Sequence, residues 1–266
     1  MSNIYFDPTL IPPLFNLPHS SSQIQHYISS LQSPSASFRS PDSPIQSEIS
    51  VFPDCTYINY HCLGISLCFL PSHPAKEDIN SSDRLLDFVD IYNPPVLPSV
   101  RPPTTWRRRR KVAGEDYSQP VFPIIFHFPT RTESLPSPKP GEELQLVERP
   151  EEVRVGPGTN GRDFVRAFGE PARKGGGEGW IPIFMEWRNV ELVIPACSRQ
   201  HVDDCSGARV ETVVLSMMVE LRDPGPELVM TDEQKRKGMG GIWDQAAEWA
   251  WASLKLFKPE NEASKV

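Results

Sequence analysis

The feature that most constrains the fold is the stretch Gly156–Pro195, in which a short helix pattern is followed by an alternating strand pattern. Phe164 and Phe168 lie at positions i and i+4 and therefore share one face of a helix. Thr159 or Asn160 can cap the start of that helix, because a short polar side chain accepts a hydrogen bond from a free backbone N–H group. The pattern predicts a short amphipathic helix that packs on a sheet.

The residues after this helix predict a stop and then a β-hairpin. Gly169 suits the positive φ found just past a helix end, and Pro171 cannot continue a helix. Pro182–Ile194 alternates apolar and polar residues, which is typical of strands. Arg188 and Asn189 interrupt the alternation, and asparagine tolerates positive φ, so these two residues predict the hairpin turn.

A weaker version of the same unit occurs earlier in the chain. Tyr57–Tyr92 aligns without a gap with Pro182–Met217, and the alignment places Leu63–Gly64 on Arg188–Asn189. A helix pattern that ends before Pro34 precedes the earlier copy. We therefore predict an α+β protein in which two related helix–β-hairpin–strand units form antiparallel sheet, with the helices on one face.

The distribution of proline, charge and periodicity predicts five regions. The chain has 29 prolines among 266 residues, and most of the excess lies in the first half, which indicates long irregular segments there. The regions are an extended N-terminal segment over the surface (1–19), the first unit (20–93), a disordered insertion rich in proline and arginine (94–119), the second unit with preceding strands (120–222), and a C-terminal helix or strand with a tail (223–266).

Shorter patterns predict the remaining elements. A helix is expected within Ser20–Leu31, where apolar residues recur at helical spacing. The other predicted strands are Arg84–Tyr92, the edge strand Val121–Phe128, one or two strands within Glu143–Val155, and Arg209–Glu220. The proline within VFPIIFHF cannot donate to a neighbouring strand, which is why that segment is expected at an edge.

Charge and cysteine content exclude several classes of protein. The net charge of −7 argues against a general nucleic-acid binder, so no nucleic-acid partner is expected. Five cysteines without a CxxC pair indicate a reduced intracellular protein and not a disulfide framework. The sequence has neither a secretory signal nor an apolar run of the ~20 residues that a membrane span needs. We expect a cytoplasmic protein, with membrane association or a nuclear location as alternatives.

A family resemblance is carried by DCTYINYHCLGISLCFLP and the following LLDFVDIYN. These segments resemble the eukaryotic phagophore-assembly factor family, which also has aromatic-Asn-Tyr, Leu-Gly and an apolar strand in this order. The matching residues are Tyr57, Asn59, Tyr60, Leu63, Gly64 and Phe69. The resemblance implies a non-enzymatic protein of autophagosome formation that works with a propeller partner and binds phosphoinositide membranes.

A second resemblance concerns the fold. The order helix, Gly-x-Pro, hairpin and strand, with Gly169 and Pro171 at its centre, looks like the fold of β-lactamase inhibitors and small outer-membrane assembly lipoproteins. It implies helices packed on one face of an antiparallel sheet.

Residues able to carry chemistry are few. Cys197, His201 and Cys205 are zinc-ligand types, but a structural zinc site normally has four ligands, so they are weak candidates. Cys62 and Cys68 are predicted to be small core residues. The glycine runs ARKGGGEGW and GPGTNG lack the Lys-Ser/Thr of a phosphate-binding loop. We predict no catalytic residue, no metal and no cofactor.

The densest positive charge is the segment WRRRRK, which contains Arg107, Arg108, Arg109, Arg110 and Lys111. Three interpretations remain open for it: a nuclear import signal, a patch for anionic lipid, or a solvated loop. Near the C-terminus, Trp243, Trp249 and Trp251 predict a segment docked on the core, with an anchor at a membrane interface or in a partner groove as the alternatives.

Together these patterns predict a non-enzymatic interaction or scaffold protein. By the resemblance, its partner is a propeller-type autophagy protein, and it makes weak contact with anionic membranes. The alternatives are a nuclear protein addressed by the arginine run, and a metal-binding protein or enzyme that uses Cys197, His201 and Cys205.

Overall fold

The computed structural model describes residues 5–31, 45–72, 84–95, 116–129, 132–134, 146–148, 150–176, 182–195, 211–222, 236 and 239–259. The helices within these ranges are α1 (Ser22–Ser30), α2 (Gly161–Phe168) and α3 (Met239–Ala246). In the part of the chain that the structure describes, no helix is both long and apolar enough to cross a bilayer.

The strands make up most of the regular structure. They are β1 (Glu48–Val51), β2 (Thr56–Tyr60), β3 (Ile65–Pro71), β4 (Arg84–Tyr92), β5 (Ile124–His127), β6 (Thr132–Ser134), β7 (Leu146–Glu148), β8 (Glu152–Val155), β9 (Arg173–Gly175), β10 (Phe184–Val193), β11 (Thr212–Leu221) and β12 (Trp251–Phe257). One or two strands were expected within Glu143–Val155, and two, β7 and β8, are present.

Eight of these strands form one antiparallel sheet in the order β1-β2-β3-β4-β12-β11-β10-β9. Two small antiparallel pairs, β5–β8 and β6–β7, form separate two-stranded sheets. The prediction of an antiparallel α+β fold is confirmed at this level, although the protein is mainly β.

The sheet has the same connectivity when it is traced inward from either edge. Helix α1 precedes β1 to β4, which pair in succession, and helix α2 precedes β9 to β12, which also pair in succession. The two series meet where β4 pairs with β12. The centre of the sheet therefore joins segments that are far apart in the sequence.

One face of the sheet and helices α1 and α2 contribute to a single apolar core. The ring centroids of Phe164 and Phe168 lie 6.3 and 5.7 Å from that of Trp187 on β10. The indole N–H of Trp187 donates a 2.9 Å hydrogen bond to the carbonyl of Gly169, just past the end of α2. This bond leaves the buried indole satisfied while its ring fills the core.

The prediction that residues 1–19 lie extended over the surface is wrong for the described residues 5–19. Asp7 caps a 3-10 turn at Pro8–Leu10, and a second 3-10 turn follows at Pro12–Leu14. Phe6, Ile11 and Leu14 are buried in the core. The prolines start tight turns here, so apolar residues between them can point inward.

The first predicted hairpin is confirmed. Strands β2 and β3 pair in antiparallel register and are joined by a 3-10 turn at His61–Leu63. Gly64 ends the turn with a φ of 70°, a conformation that favours glycine. A side chain at Gly64 would also lie only 2.5 Å from the carbonyl oxygen of Ser118.

The second predicted turn is wrong. Arg188 and Asn189 lie inside β10, which continues to Val193 and pairs with β11 along its length. Asn189 does adopt a positive φ of 52°, but the register shift between Trp187 and Val190 identifies an irregularity of the bulge type. The gap-free alignment of the two units is consequently wrong, because it matched one strand of the second half to two of the first.

The predicted helix ends are confirmed. Asn160 forms a reciprocal capping box with Asp163 at the start of α2, and Gly169 follows the helix with a φ of 79°. Ser21 caps α1. The C-terminal region contains both predicted alternatives, a helix (α3) and a strand (β12).

Part of the predicted disordered insertion (94–119) lies within the described residues. Residues 96–115, with the arginine run, lie outside the described residues. Tyr117, which the prediction included, stacks on Tyr92 of β4 with ring centroids 4.0 Å apart. The prediction of disorder through Gln119 is therefore wrong at its C-terminal end.

Candidate functional site

The second face of the sheet, opposite the apolar core, carries a continuous row of polar side chains. Directly paired residues on neighbouring antiparallel strands point to the same face. The register therefore places on one line Glu48, Asn59, Ser66, Asp90, Lys255, Met218, Glu186 and Arg173. We call this line the polar row. Only Met218 in it is apolar.

At the centre of the polar row, Asp90 on β4 lies opposite Lys255 on β12. The Asp90 carboxylate and the Lys255 ammonium are 3.8 Å apart, and the same ammonium lies 3.8 Å from the centroid of the Phe88 ring. Asp90 is 6% exposed. Burial raises the pKa of Asp90 to about 6; the Lys255 charge opposes this rise and the Glu220 carboxylate adds to it.

The second half of the row is held by ion pairs. The buried Glu186 carboxylate accepts a 3.2 Å hydrogen bond from Arg173 on β9 and a 2.6 Å hydrogen bond from Arg188 on its own strand. Glu220 accepts a 2.9 Å hydrogen bond from the Ser253 hydroxyl. These carboxylates therefore have structural partners that fix their orientation.

The first half of the row is held by a hydrogen-bond network centred on Asn59. Its side-chain oxygen accepts hydrogen bonds from Ser66 at 2.7 Å and from the hydroxyl of Tyr117 at 2.9 Å. Its amide nitrogen donates to Ser50 at 3.3 Å. Burial raises the pKa of Tyr117, which keeps its hydroxyl protonated and able to donate.

The ring of Tyr117, whose hydroxyl belongs to this network, packs against two further rings. The Tyr117 ring lies 4.0 Å from Tyr92 and 4.5 Å from His61, measured between centroids. The backbone N–H of Ser118 donates a 2.8 Å hydrogen bond to the carbonyl of His61. His61 in turn lies 3.1 Å from the carboxylate of Glu48. Tyr117 and Ser118, which follow residues 96–115, are thus fixed on the sheet.

The described residues that precede 96–115 are fixed at the same end of β4. Asn93 is buried, and its side-chain amide donates to the carbonyl of Pro157 at 2.9 Å and of Trp251 at 2.8 Å. Its backbone N–H donates to Ala252 at 2.9 Å. Because Asn93 follows Tyr92 directly, both flanks of residues 96–115 lie side by side.

The predicted site residues have different outcomes. The run Arg107–Lys111 and the weak metal candidates Cys197, His201 and Cys205 lie outside the described residues. Within the part that the structure describes, no group of three His, Cys, Asp or Glu side chains is arranged to hold a metal ion. These predictions stay predictions.

The motif residues and the tryptophans have structural contacts. Tyr60 is buried, with its hydroxyl 3.1 Å from the His19 ring nitrogen. Tyr57 packs edge-on against Phe88. Trp251 is buried on β12 and donates a 2.8 Å hydrogen bond to the carbonyl of Gly156, so it is a core residue and not a membrane anchor.

Of the two cysteines predicted to be core residues, only Cys68 is fully buried. Its free thiol lies on β3, and burial raises its pKa to about 12. Cys62 has an intermediate exposure and lies in the turn between β2 and β3. A reactive cysteine needs a low thiol pKa and an exposed sulfur, so Cys68 is a structural residue.

Sequence reasoning missed the pair Asp90–Lys255 and the stacking residue Tyr117. One signal was available, because Asp90 lies between the two apolar residues Val89 and Ile91. Its partner Lys255 could not be found from spacing, because β12 and β4 are far apart in the sequence and become neighbours only in the folded sheet.

Comparison with known proteins gives no relative. No family model, no curated protein and no solved structure matches the chain.

Proposed function

We propose that the protein is a non-catalytic interaction protein, in which the sheet is a rigid support for a basic segment that contacts an anionic surface. We also propose that its two halves are related units that carry their helices on one face. The equivalent strand order in the two halves supports this relation, as does the position of the pair Asp90–Lys255 at the centre of the polar row.

The observation that carries the proposal is the position of the two flanks of residues 96–115. Asn93 and Tyr117 are both fixed at the end of β4, by buried hydrogen bonds and by ring stacking. A segment whose two ends are held close together has fewer conformations in the free state. It therefore loses less conformational entropy when it binds. The five cations of Arg107–Lys111 lie between these fixed ends in the sequence.

The partner that suits this charge is an anionic membrane surface with phosphoinositide headgroups. A basic residue near such a surface contributes about 1 kcal/mol, so five of them suffice for reversible attachment. The resemblance to the phagophore-assembly factor family favours the same ligand and adds a propeller-type protein as partner. The polar row supports a scaffold role, because its central carboxylates already have partners within the sheet.

Liposome flotation tests the membrane contact. The intact chain should float with phosphatidylcholine vesicles that contain a phosphoinositide, and should stay at the bottom with phosphatidylcholine alone. Replacing Arg107–Lys111 by glutamines should abolish flotation, whereas replacing Lys235, Arg236 and Lys237 by glutamines is the control and should leave it unchanged. Vesicles with phosphatidylserine at equal charge distinguish headgroup recognition from general attraction. If the intact chain does not float with phosphoinositide vesicles, the membrane function is wrong.

A second variant tests the fixed flanks. Tyr117→Ala removes the ring stack and the hydrogen bond to Asn59 but keeps every cation of the run. We expect a smaller floating fraction than for the intact chain, because the segment then loses more entropy on binding. An unchanged fraction would mean that the charge alone is responsible.

Nuclear import is the second candidate function, and the arginine run itself favours it. A fluorescent fusion of the intact chain, compared with the variant in which Arg107–Lys111 are glutamines, distinguishes the two. Nuclear accumulation that is lost in the variant would favour import over the membrane.

A further inference from the structure

Strand β1 forms one edge of the large sheet. Its residues Glu48–Val51 pair with β2 on one side, and among the described residues no strand pairs with its other side. An edge strand of this kind presents unpaired N–H and C=O groups along its free side. Such groups can extend the sheet by binding a further strand.

The side chains of β1 and of the residue after it are unusually apolar for an exposed edge. Ile49 is 59% exposed, Val51 is 55% exposed and Phe52 is 48% exposed. Ile49 and Val51 pair with Ile58 and Thr56 and therefore point to the same face of the sheet. Two exposed β-branched side chains at alternate positions are suited to contact another strand.

The opposite edge of the sheet, β9, has the protection that β1 lacks. Arg173 and Lys174 are charged and exposed, and Lys174 forms an ion pair with Glu170. The strand ends at Gly175, and Gly176 follows with a φ of 85°. Exposed charged side chains, lysine above all, are among the features by which proteins prevent strand addition at an edge. The two edges occupy equivalent places in the sheet, so the difference between them is specific to β1.

We propose that β1 is a docking edge for an extended segment of a partner protein, which adds to the sheet as a further antiparallel strand. The segment carries apolar residues at alternate positions, facing Ile49 and Val51, and a lysine or arginine opposite Glu48. The Glu48 side chain is 68% exposed and its described contact is with His61, so its carboxylate can accept a second partner. This inference is independent of the basic run.

The size of the edge favours a short peptide segment over a second copy of the chain. A stable protein–protein interface buries more than about 1,000 Å². The edge consists of only the four residues of β1 and Phe52, which is a short contact for two globular copies. A linear segment needs only the backbone ladder and the two apolar contacts, which gives the weak, reversible affinity of strand addition.

A designed peptide tests the proposal on the full chain. The probe is fluorescein-labelled Thr-Val-Thr-Ile-Lys-Thr with blocked ends, which in antiparallel register places Val and Ile opposite Val51 and Ile49 and Lys opposite Glu48. Fluorescence anisotropy measures its affinity, and amide chemical shifts of the ¹⁵N-labelled chain locate it. Two further peptides are N-methylated on alternate residues. One blocks the hydrogen-bonding side that faces β1, and the other leaves that side free.

The expected result is saturable binding, with shift changes in β1 and β2. The double variant Ile49→Lys, Val51→Lys should weaken binding at least tenfold. Val214→Lys is the control, because Val214 is an apolar residue that is 39% exposed on the internal strand β11. This variant should bind the peptide like the intact chain. The methylated peptide whose β1-facing side is free should bind, and the peptide methylated on its β1-facing side should not.

Several outcomes would overturn the proposal. These are no binding at millimolar peptide, equal binding by the double variant and the intact chain, or equal binding by both methylated peptides. Sedimentation of the intact chain alone tests whether a second copy of the chain binds this edge. A dimer that is lost in the Ile49→Lys, Val51→Lys variant would assign the edge to a second copy and overturn the assignment to a partner protein. Flotation of the double variant is measured in parallel, and it should equal that of the intact chain because the basic run is unchanged.

Discussion

At the scale of single residues, the most informative group is the carboxylate of Asp90. It lies in the middle of an eight-stranded sheet, and one of its oxygens is 3.8 Å from the Lys255 ammonium nitrogen. The negative charge of Glu220 also acts on it and raises its pKa. A buried carboxylate with a cation on one side and a second anion nearby is only partly compensated. Its pKa of about 6 expresses that imbalance, because the folded state favours the protonated form.

The raised pKa predicts the pH dependence of stability. The folded state binds the Asp90 proton more tightly than the unfolded state, whose carboxyl has an ordinary pKa near 4. The stabilising effect is therefore fully present below about pH 4 and is lost as the pH rises through about 6. Asp90→Asn should remove this component, so the free energy of unfolding of the variant relative to the intact chain should rise by about 2–3 kcal/mol between pH 4 and pH 7.

Urea unfolding at pH 4, 5, 6 and 7 measures this difference. Asp87→Asn is the matched control, because Asp87 lies on the same strand but is half-exposed and pairs with Lys258 at 3.1 Å. If both variants differ from the intact chain by the same amount at every pH, burial of Asp90 is not the cause of the pH dependence.

At the scale of elements, local sequence predicted helix ends better than strand connections. The capping of α2 by Asn160 and the positive φ at Gly169 depend on neighbouring residues alone. Asn189 also has the positive φ that the sequence indicated, yet the chain continues straight through it. A turn and a bulge both need that backbone conformation, and pairing of β10 with β11 along its whole length decides between them.

The cap of α2 supports a prediction about helix stability. Asn160 accepts a 2.9 Å hydrogen bond from the N–H of Asp163, and its own N–H donates to the Asp163 carboxylate at 3.1 Å. Asn160→Ala should lower the free energy of unfolding by about 1–2 kcal/mol, since the side-chain half of the capping box is lost. Urea denaturation followed by tryptophan fluorescence measures the change, because Trp187 contacts α2.

Ser21→Ala in α1 provides the comparison. Ser21 accepts a longer hydrogen bond of 3.3 Å from Gln23 at an exposed site, so its loss should cost less than that of Asn160. A larger cost for Ser21→Ala than for Asn160→Ala would contradict the importance of the capping box.

At the scale of the whole molecule, the contacts that create the candidate site come from pairing between distant segments. The alternation of β4 and β12 was visible in the sequence, but the register that places Asp90 opposite Lys255 was not. The same applies to Tyr117, which reaches the polar row through stacking on Tyr92. Patterns of period two identify strands and their faces, whereas the neighbour of each strand depends on the packing of the complete core.

The pairing of β4 with β12 predicts that the two halves fold together. Ile91 lies opposite Leu254, and Val89 lies opposite Leu256; all four side chains are buried. Separation would expose these residues and create two new sheet edges. A chain divided between residues 140 and 141, beyond the end of β6 and before β7, should therefore give fragments 1–140 and 141–266 that purify as a 1:1 complex when co-expressed.

Neither fragment alone should unfold cooperatively, because each lacks half of the common core. Leu254→Asp in the second fragment should abolish co-purification, since an unpaired carboxylate buried against Ile91 costs several kcal/mol. Lys258→Ala should leave the complex intact, because its pair with Asp87 is half-exposed and contributes little. Cooperative unfolding of either fragment by itself would show that the halves are independent domains. The pair β4–β12 would then be a contact between two domains and not the middle of one sheet.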